Sequence, residues 1–237
     1  MLEVKLASLS VVVISDGNNP RILNPDFLQR NQIVPDTWKP ANVIVTSPFA
    51  TVQFENSLSI HVENTKLQFL ATAADVDWQT ELPRIAIKYL EVLPHVAYKA
   101  VGLNFAWNSD TPVGQEAEDR LIAAMLRDGD WLKFGAGITG TLIELQYRKS
   151  QPFLALKIGV RLTVNPDGTE VLESYTISTN FHHDFEPKQE AERKDFITQL
   201  AKRQNESLEL IKRLTTGVEV TYLFALERTG ASRQPLN

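Results

Sequence analysis

Hydrophobic and polar positions alternate along two stretches of the chain, and each stretch gives way to a helical stripe and then to a further strand-like run. The first pass covers Leu2 to Trp107 and the second Thr141 to Leu226. Leu2 to Ile14 reads as one long strand. It is broken by Asp16-Gly17-Asn18-Asn19-Pro20, where Gly and Asn tolerate positive φ and Pro lacks a donor. Residues 20–41, with Pro20, Pro25, Pro35 and Pro40, read as a long irregular segment held to the body by Phe27, Leu28, Ile33 and Trp38.

From Asn42 the period is two. Val43 and Val45, then Ala50, Val52 and Phe54, then Leu58, Ile60 and Val62, then Leu67, Phe69 and Ala71 take one face. Thr51, Gln53, Ser59, His61, Glu63 and Gln68 take the other. This pattern predicts an antiparallel meander with one wet face. Leu82, Ile85, Ala86, Tyr89, Leu90 and Leu93 then fall on one helical stripe, with Thr80 as its cap, Pro83 in its first turn and Pro94 after its end. Val101, Leu103, Phe105 and Trp107 return to a strand.

Asn108 to Gly114 reads as a joint between halves. A helix carrying Ala117, Leu121, Ala124 and Met125 follows, ending at Asp128-Gly129-Asp130. Thr141 to Tyr147 and Leu154 to Val164 are the next strands. The turn Asn165-Pro166-Asp167-Gly168 leads into a partner strand with Val171, Tyr175, Ile177 and Phe181. A helix is expected from Pro187 to about Leu214, with Ile197, Leu200, Ala201, Leu208 and Ile211 as its buried stripe. Gly217 ends it, and Val218, Val220, Tyr222, Phe224 and Leu226 read as a closing strand, with a continued helix as the alternative.

The fold class is therefore α+β, with antiparallel sheets, helices packed on one face and two similar-looking halves. Residues 1–110 hold a strand meander plus helix and strand. Residues 111–228 hold a helix, antiparallel strands and a long helix, and residues 229–237 form a tail. A single domain accommodates the same elements, and the halves share an order of elements without aligned residues.

Composition narrows the function. The 237 residues include no cysteine, which excludes disulfides, thiolate metal sites and cysteine nucleophiles and fits a reducing, cytoplasmic compartment. The net charge of −5 gives no general attraction to phosphate backbones, so no nucleic-acid partner is expected. No segment has the length and apolarity of a membrane span, and the run from Leu9 to Ile14 is β-branched with Glu3 and Lys5 before it. Asn205-Glu206-Ser207 matches a glycosylation sequon, a chance match on a cytoplasmic chain.

Gly135-Ala136-Gly137-Ile138-Thr139-Gly140 satisfies G-x-G-x-x-G. A dinucleotide fingerprint needs a strand before it, a helix after it and an acidic residue about twenty positions on. A strand follows instead, and Val160-Arg161-Leu162 stands where the acid belongs, so the segment reads as a connector and no cofactor is assigned. His182-His183-Asp184-Phe185-Glu186 is the densest group of ligand-type side chains. On a strand His182 and Asp184 share a face, and with Glu186 they are the candidate metal ligands. The bland alternative is a polar strand end leading to a helix N-terminus, where Asp184 and Glu186 suit the dipole. No G-x-S-x-G, P-loop or H-E-x-x-H is present, and no catalytic residue is assigned. The charged residues between Lys188 and Arg213 mix both signs and read as a solvated helix face. Trp38, Trp78, Trp107 and Trp131 read as core or interface anchors.

The stretch from Val52 to Phe105 resembles a family of uncharacterised bacterial proteins that occur sporadically across genomes. The resemblance rests on the meander, on Tyr89-Leu90 near the end of the helix, and on Gly102-Leu103-Asn104-Phe105 in the following strand. Asn104 stands where that family favours Arg, and Trp107 where it favours Asn. The resemblance implies an α+β fold and carries no activity.

Three functional readings follow. The first is a non-catalytic binding or assembly protein that forms a homodimer or takes a protein partner through a sheet edge or helix face. The second is a metal-dependent hydrolase centred on His182, Asp184 and Glu186, completed by His61 or Glu63. The third is a carrier of a small-molecule ligand, with an apolar cavity between sheet and helices roofed by residues 20–41.

Overall fold

A computed structural model describes residues 3–72, 76–109, 117–126, 129–135, 138, 140–147, 151–164, 171–186 and 188–229. Among them, nine strands form one open antiparallel sheet. The strands are β1 (Val4–Asp16), β2 (Pro40–Val45), β3 (Phe49–Phe54), β4 (Leu58–Glu63), β5 (Lys66–Ala71), β6 (Ala97–Ser109), β7 (Leu142–Tyr147), β8 (Phe153–Val164) and β9 (Val171–Asp184). Their order across the sheet is β2-β3-β4-β5-β1-β6-β9-β8-β7. Five helices pack against it: α1 (Pro25–Arg30), α2 (Trp78–Val92), α3 (Ala117–Met125), α4 (Glu190–Thr198) and α5 (Leu200–Thr229).

The expected pair of sheets is a single sheet. The long strands β1 and β6 pair along almost their whole length, from Val4 opposite Ser109 to Asp16 opposite Ala97. β6 then pairs with β9, which joins the strands of the second half to those of the first. Register carries one row of side chains across every strand: Val43, Val52, Ile60, Phe69, Val11, Leu103, Phe181, Leu154 and Tyr147. Because side chains alternate along each strand, the whole sheet has one apolar and one polar face. Helices cover the apolar face. Leu82, Ile85, Ala86 and Tyr89 of α2, Leu121 of α3, Phe196 and Ile197 of α4 and Ile211 of α5 join one core with the strand residues.

Local chemistry explains several element ends. At the hairpin between β3 and β4, Ser57 takes φ 68° and Asn56 Oδ1 accepts the Leu58 N–H at 3.3 Å. Residues 20–41 are more ordered than their prolines suggest. Asn19 accepts from the Arg21 N–H at 3.1 Å and opens a 3₁₀ turn at Pro20–Ile22. Asn24 accepts from the Phe27 N–H at 2.8 Å and caps α1, with Pro25 in the first position. Leu23, Leu28, Ile33 and Val34 are buried and belong to the core, so side chains of this segment anchor it to the body.

Three helix boundaries differ from expectation. α2 starts at Trp78 after Asp77, one turn ahead of a Thr80 cap, so Pro83 lies inside the helix and removes the bond to the Gln79 carbonyl. The long C-terminal helix is two helices, broken at Gln199. Val218 to Leu226 continues α5 and is not a closing strand. Extending an existing helix adds one local hydrogen bond per residue, whereas a strand there would need an edge to pair with. The Asn165–Gly168 turn, residues 110–114 of the expected joint, Asp128, the centre of the glycine-rich hexapeptide (Ala136, Gly137 and Thr139), Pro187 and residues 230–237 lie outside the described residues. No described helix is long and apolar enough to cross a membrane.

Candidate functional site

The candidate metal ligands lie at the end of β9. His182 and Asp184 share a face as expected, with His182 Nε2 and Asp184 Oδ1 3.0 Å apart. Both are open to solvent. Glu186 is exposed beyond the strand, and its backbone N–H donates to Gln189 Oε1 at 2.8 Å. His61 does not complete the group. It stands on the same row of the sheet, but β5, β1 and β6 lie between β4 and β9. At roughly 4.8 Å per strand, four steps separate the two imidazoles by about 19 Å. Among the described residues, no three His, Asp or Glu side chains converge as a metal site. His183 points into the other face. Its ring stacks on Phe185 at 4.2 Å and meets Phe196 edge-on at 5.2 Å. That burial holds its pKa below the ordinary histidine value; Arg203 and His182 act the same way, and Asp184 opposes them.

The polar face of the sheet carries a hydrogen-bonded ladder at its centre. Asn180 donates to Asn104 Oδ1, and Asn104 Nδ2 reaches Ser10 Oγ at 3.4 Å. The ladder spans β9, β6 and β1. Gly102 leaves room beside it; a Cβ there would meet Asn180 Nδ2 at 3.0 Å. A basin of about 410 Å³ opens over this ladder, with Ser8 and Ser178 on its floor and Lys157 and Glu144 at its rim. Lys157 Nζ and Glu144 Oε2 are 3.2 Å apart. A hydrogen bond from Gln146 and the bond from Lys157 hold the Glu144 carboxyl below its ordinary pKa. Apart from that pair the basin is lined by neutral amides and hydroxyls together with Phe105, Ala106 and Ala155.

One hydroxyl–imidazole pair occurs on the same face: Thr51 Oγ1 and His61 Nδ1 lie 2.8 Å apart. Burial keeps the His61 pKa low, with Lys66 acting in the same direction. A nucleophile–base unit requires a third group to orient the base, and among the described residues no carboxylate hydrogen-bonds to His61 Nε2. The pair reads as a cross-strand hydrogen bond between β3 and β4.

The sheet edge at β2 has a different chemistry. All six residues of β2 are exposed. Val43, Ile44 and Val45 are exposed by 42%, 41% and 44%. Val43 ends the apolar row, yet no described helix covers it, and Ile44 faces the opposite side. Among the described residues no strand pairs with the outer backbone edge of β2, and β2 exposes Val43 and Val45 on one face and Ile44 on the other. Alternation at Val43 and Val45 foretells a half-buried strand, but not that β2 would be last in the sheet.

Arg193 also departs from expectation. Sequence places it on a solvated helix face. It is 4% exposed, donates to the Tyr98 carbonyl at 2.9 Å and lies over the Tyr98 ring at 5.4 Å. Its neighbours keep the expected mixed pairing, as in Lys194 with Glu91 and Glu190. Trp78 and Trp107 are buried, and Trp38 meets Trp78 edge-on at 5.9 Å. Trp131 is exposed, as is Phe134. Ser207 of the sequon is fully buried in α5, so the match does not lie on a surface loop. No protein-family model and no curated protein matches this chain.

Proposed function

We propose that this chain is a non-catalytic assembly protein of the cytoplasm that takes a protein partner along a sheet edge. The observation that supports this reading most is β2, whose Val43, Ile44 and Val45 are all more than two-fifths exposed on an edge strand. Edge strands in soluble proteins are commonly guarded by charge. Residues 40–46 contain no ionisable side chain. The two similar-looking halves and the relation of Val52–Phe105 to the sporadically distributed bacterial family belong to the same proposal and add no activity to it.

A metal-dependent hydrolase is the second reading, favoured only by the 3.0 Å contact between His182 and Asp184. Native mass spectrometry with metal analysis, on protein purified under gentle conditions, separates the two. The assembly reading expects a metal-free homo-oligomer. A monomer carrying one equivalent of metal, lost in His182→Ala, overturns it in favour of the hydrolase.

A further inference from the structure

We propose that the partner of β2 is a second copy of this chain, paired antiparallel about a two-fold axis at Ile44, so that two sheets join into one. The proposal rests on the assembly reading above and specifies its surface, occupant and register.

Backbone alternation identifies which groups are free. The Thr46 N–H donates to the Phe49 carbonyl at 2.9 Å, and Ile44 and Asn42 stand opposite Thr51 and Gln53. In an antiparallel pair, bonded and non-bonded positions alternate. Thr46, Ile44 and Asn42 therefore bond inward to β3, while Val43 and Val45 turn their N–H and C=O groups outward. An edge of free backbone donors and acceptors is satisfied by another extended strand.

The side chains select that strand and its register. With Ile44 opposite Ile44 of the second copy, Val43 meets Val45, Val45 meets Val43, and Asn42 meets Thr46. Every apolar side chain faces an apolar one, and the polar ones face each other. Moving the axis to Val43 would set Asn42 against Ile44 on both sides. No ionisable side chain lies between Pro40 and Thr46, so no like charges meet at the axis. Both exposed faces are used: Val43 and Val45 extend the apolar row, and the two Ile44 side chains touch on the other side. Pro40, together with the register shift between Pro40 and Asn42, ends the pairing at that side. The contact is isologous and closes as a dimer, whereas β2 against β7 of another copy would run on as a filament.

The sequence has no cysteine, so Ile44→Cys introduces the sole thiol. At a non-hydrogen-bonded antiparallel position the two Cα atoms are about 4.5 Å apart, inside the disulfide range of about 4.4–6.8 Å. After mild oxidation, most Ile44→Cys chains should run as a covalent dimer on a non-reducing gel. Asn42→Cys and Val43→Cys should remain single chains under the same conditions. A wild-type protein that is dimeric by light scattering, with Ile44→Cys uncrosslinked or Val43→Cys crosslinked instead, overturns this register and leaves the assembly reading standing. A wild-type protein that stays monomeric at high micromolar concentration overturns both.

Discussion

The indole N–H of Trp107 donates to Ser207 Oγ at 2.9 Å, and the same hydroxyl lies 2.7 Å from Thr179 Oγ1. Trp107 and Thr179 sit on β6 and β9, and Ser207 sits on α5, a hundred residues from Trp107. All three are buried. The contact ties the C-terminal helix to the centre of the sheet.

Ser207→Ala leaves the Trp107 N–H and the Thr179 hydroxyl buried with one partner fewer. An unsatisfied buried polar group costs about 1–3 kcal/mol. Urea unfolding should show a loss of that size. A change within a few tenths of a kcal/mol would mean that α5 does not depend on this contact.

Adjacent residues of β6 test the two-faced sheet. Leu103 lies in the apolar row and is fully buried, and Asn104 lies on the polar face between Ser10 and Asn180. Leu103→Ala should cost about 2–5 kcal/mol. Asn104→Ala should cost about 1 kcal/mol, the net worth of an ordinary hydrogen bond. Equal losses in denaturant titrations would contradict the assignment of faces.

Protonation of His183 should destabilise the fold. Burial against Phe185 and Phe196 lowers its pKa in the folded chain, so the unfolded chain binds the proton more readily. Stability rises with pH wherever the unfolded state binds more protons. The contribution of His183 is therefore complete above the ordinary histidine pKa of about 6.5 and declines as the pH falls below it. His61 is lowered as well, chiefly by burial, and adds in the same direction. Unfolding free energies measured between neutral and mildly acidic pH should fall with pH, and less steeply in His183→Phe. An unchanged slope in that variant would remove His183 from the account.

Periodicity shows which face of a strand is apolar, and the meander from Ala50 to Ala71 appears where alternation puts it. Periodicity is silent on neighbours. Ser10 and Asn104 face each other across 94 positions, and Asn104 faces Asn180 across 76, yet nothing local in these strands says that β6 lies between β1 and β9 and so joins the two halves into one sheet. The cap at Asn24-Pro25-Asp26 is legible as a helix start, but four prolines between residues 20 and 41 hide it. The break at Gln199 has no Gly or Pro to announce it, and the β-branched run after Gly217 resembles a strand although the helix continues through it. For the candidate site, His182 and Asp184 meet as strand alternation requires, yet the distance from His61 depends on strand order. The bare edge at β2 is hidden for the same reason: Val43 and Val45 alternate like any half-buried strand, and only their place in the sheet leaves them uncovered.

Replacing Ile44 by Lys puts like charges together at the proposed two-fold axis and changes little in the folded chain, since surface substitutions usually stay within about 0.5 kcal/mol. The most direct measurement is multi-angle light scattering of wild-type protein and Ile44→Lys over a concentration series to high micromolar. The account predicts twice the chain mass of 26.7 kDa for the wild type and the single-chain mass for Ile44→Lys, with matching thermal melts at low concentration. A wild-type protein that stays at the single-chain mass throughout would contradict it.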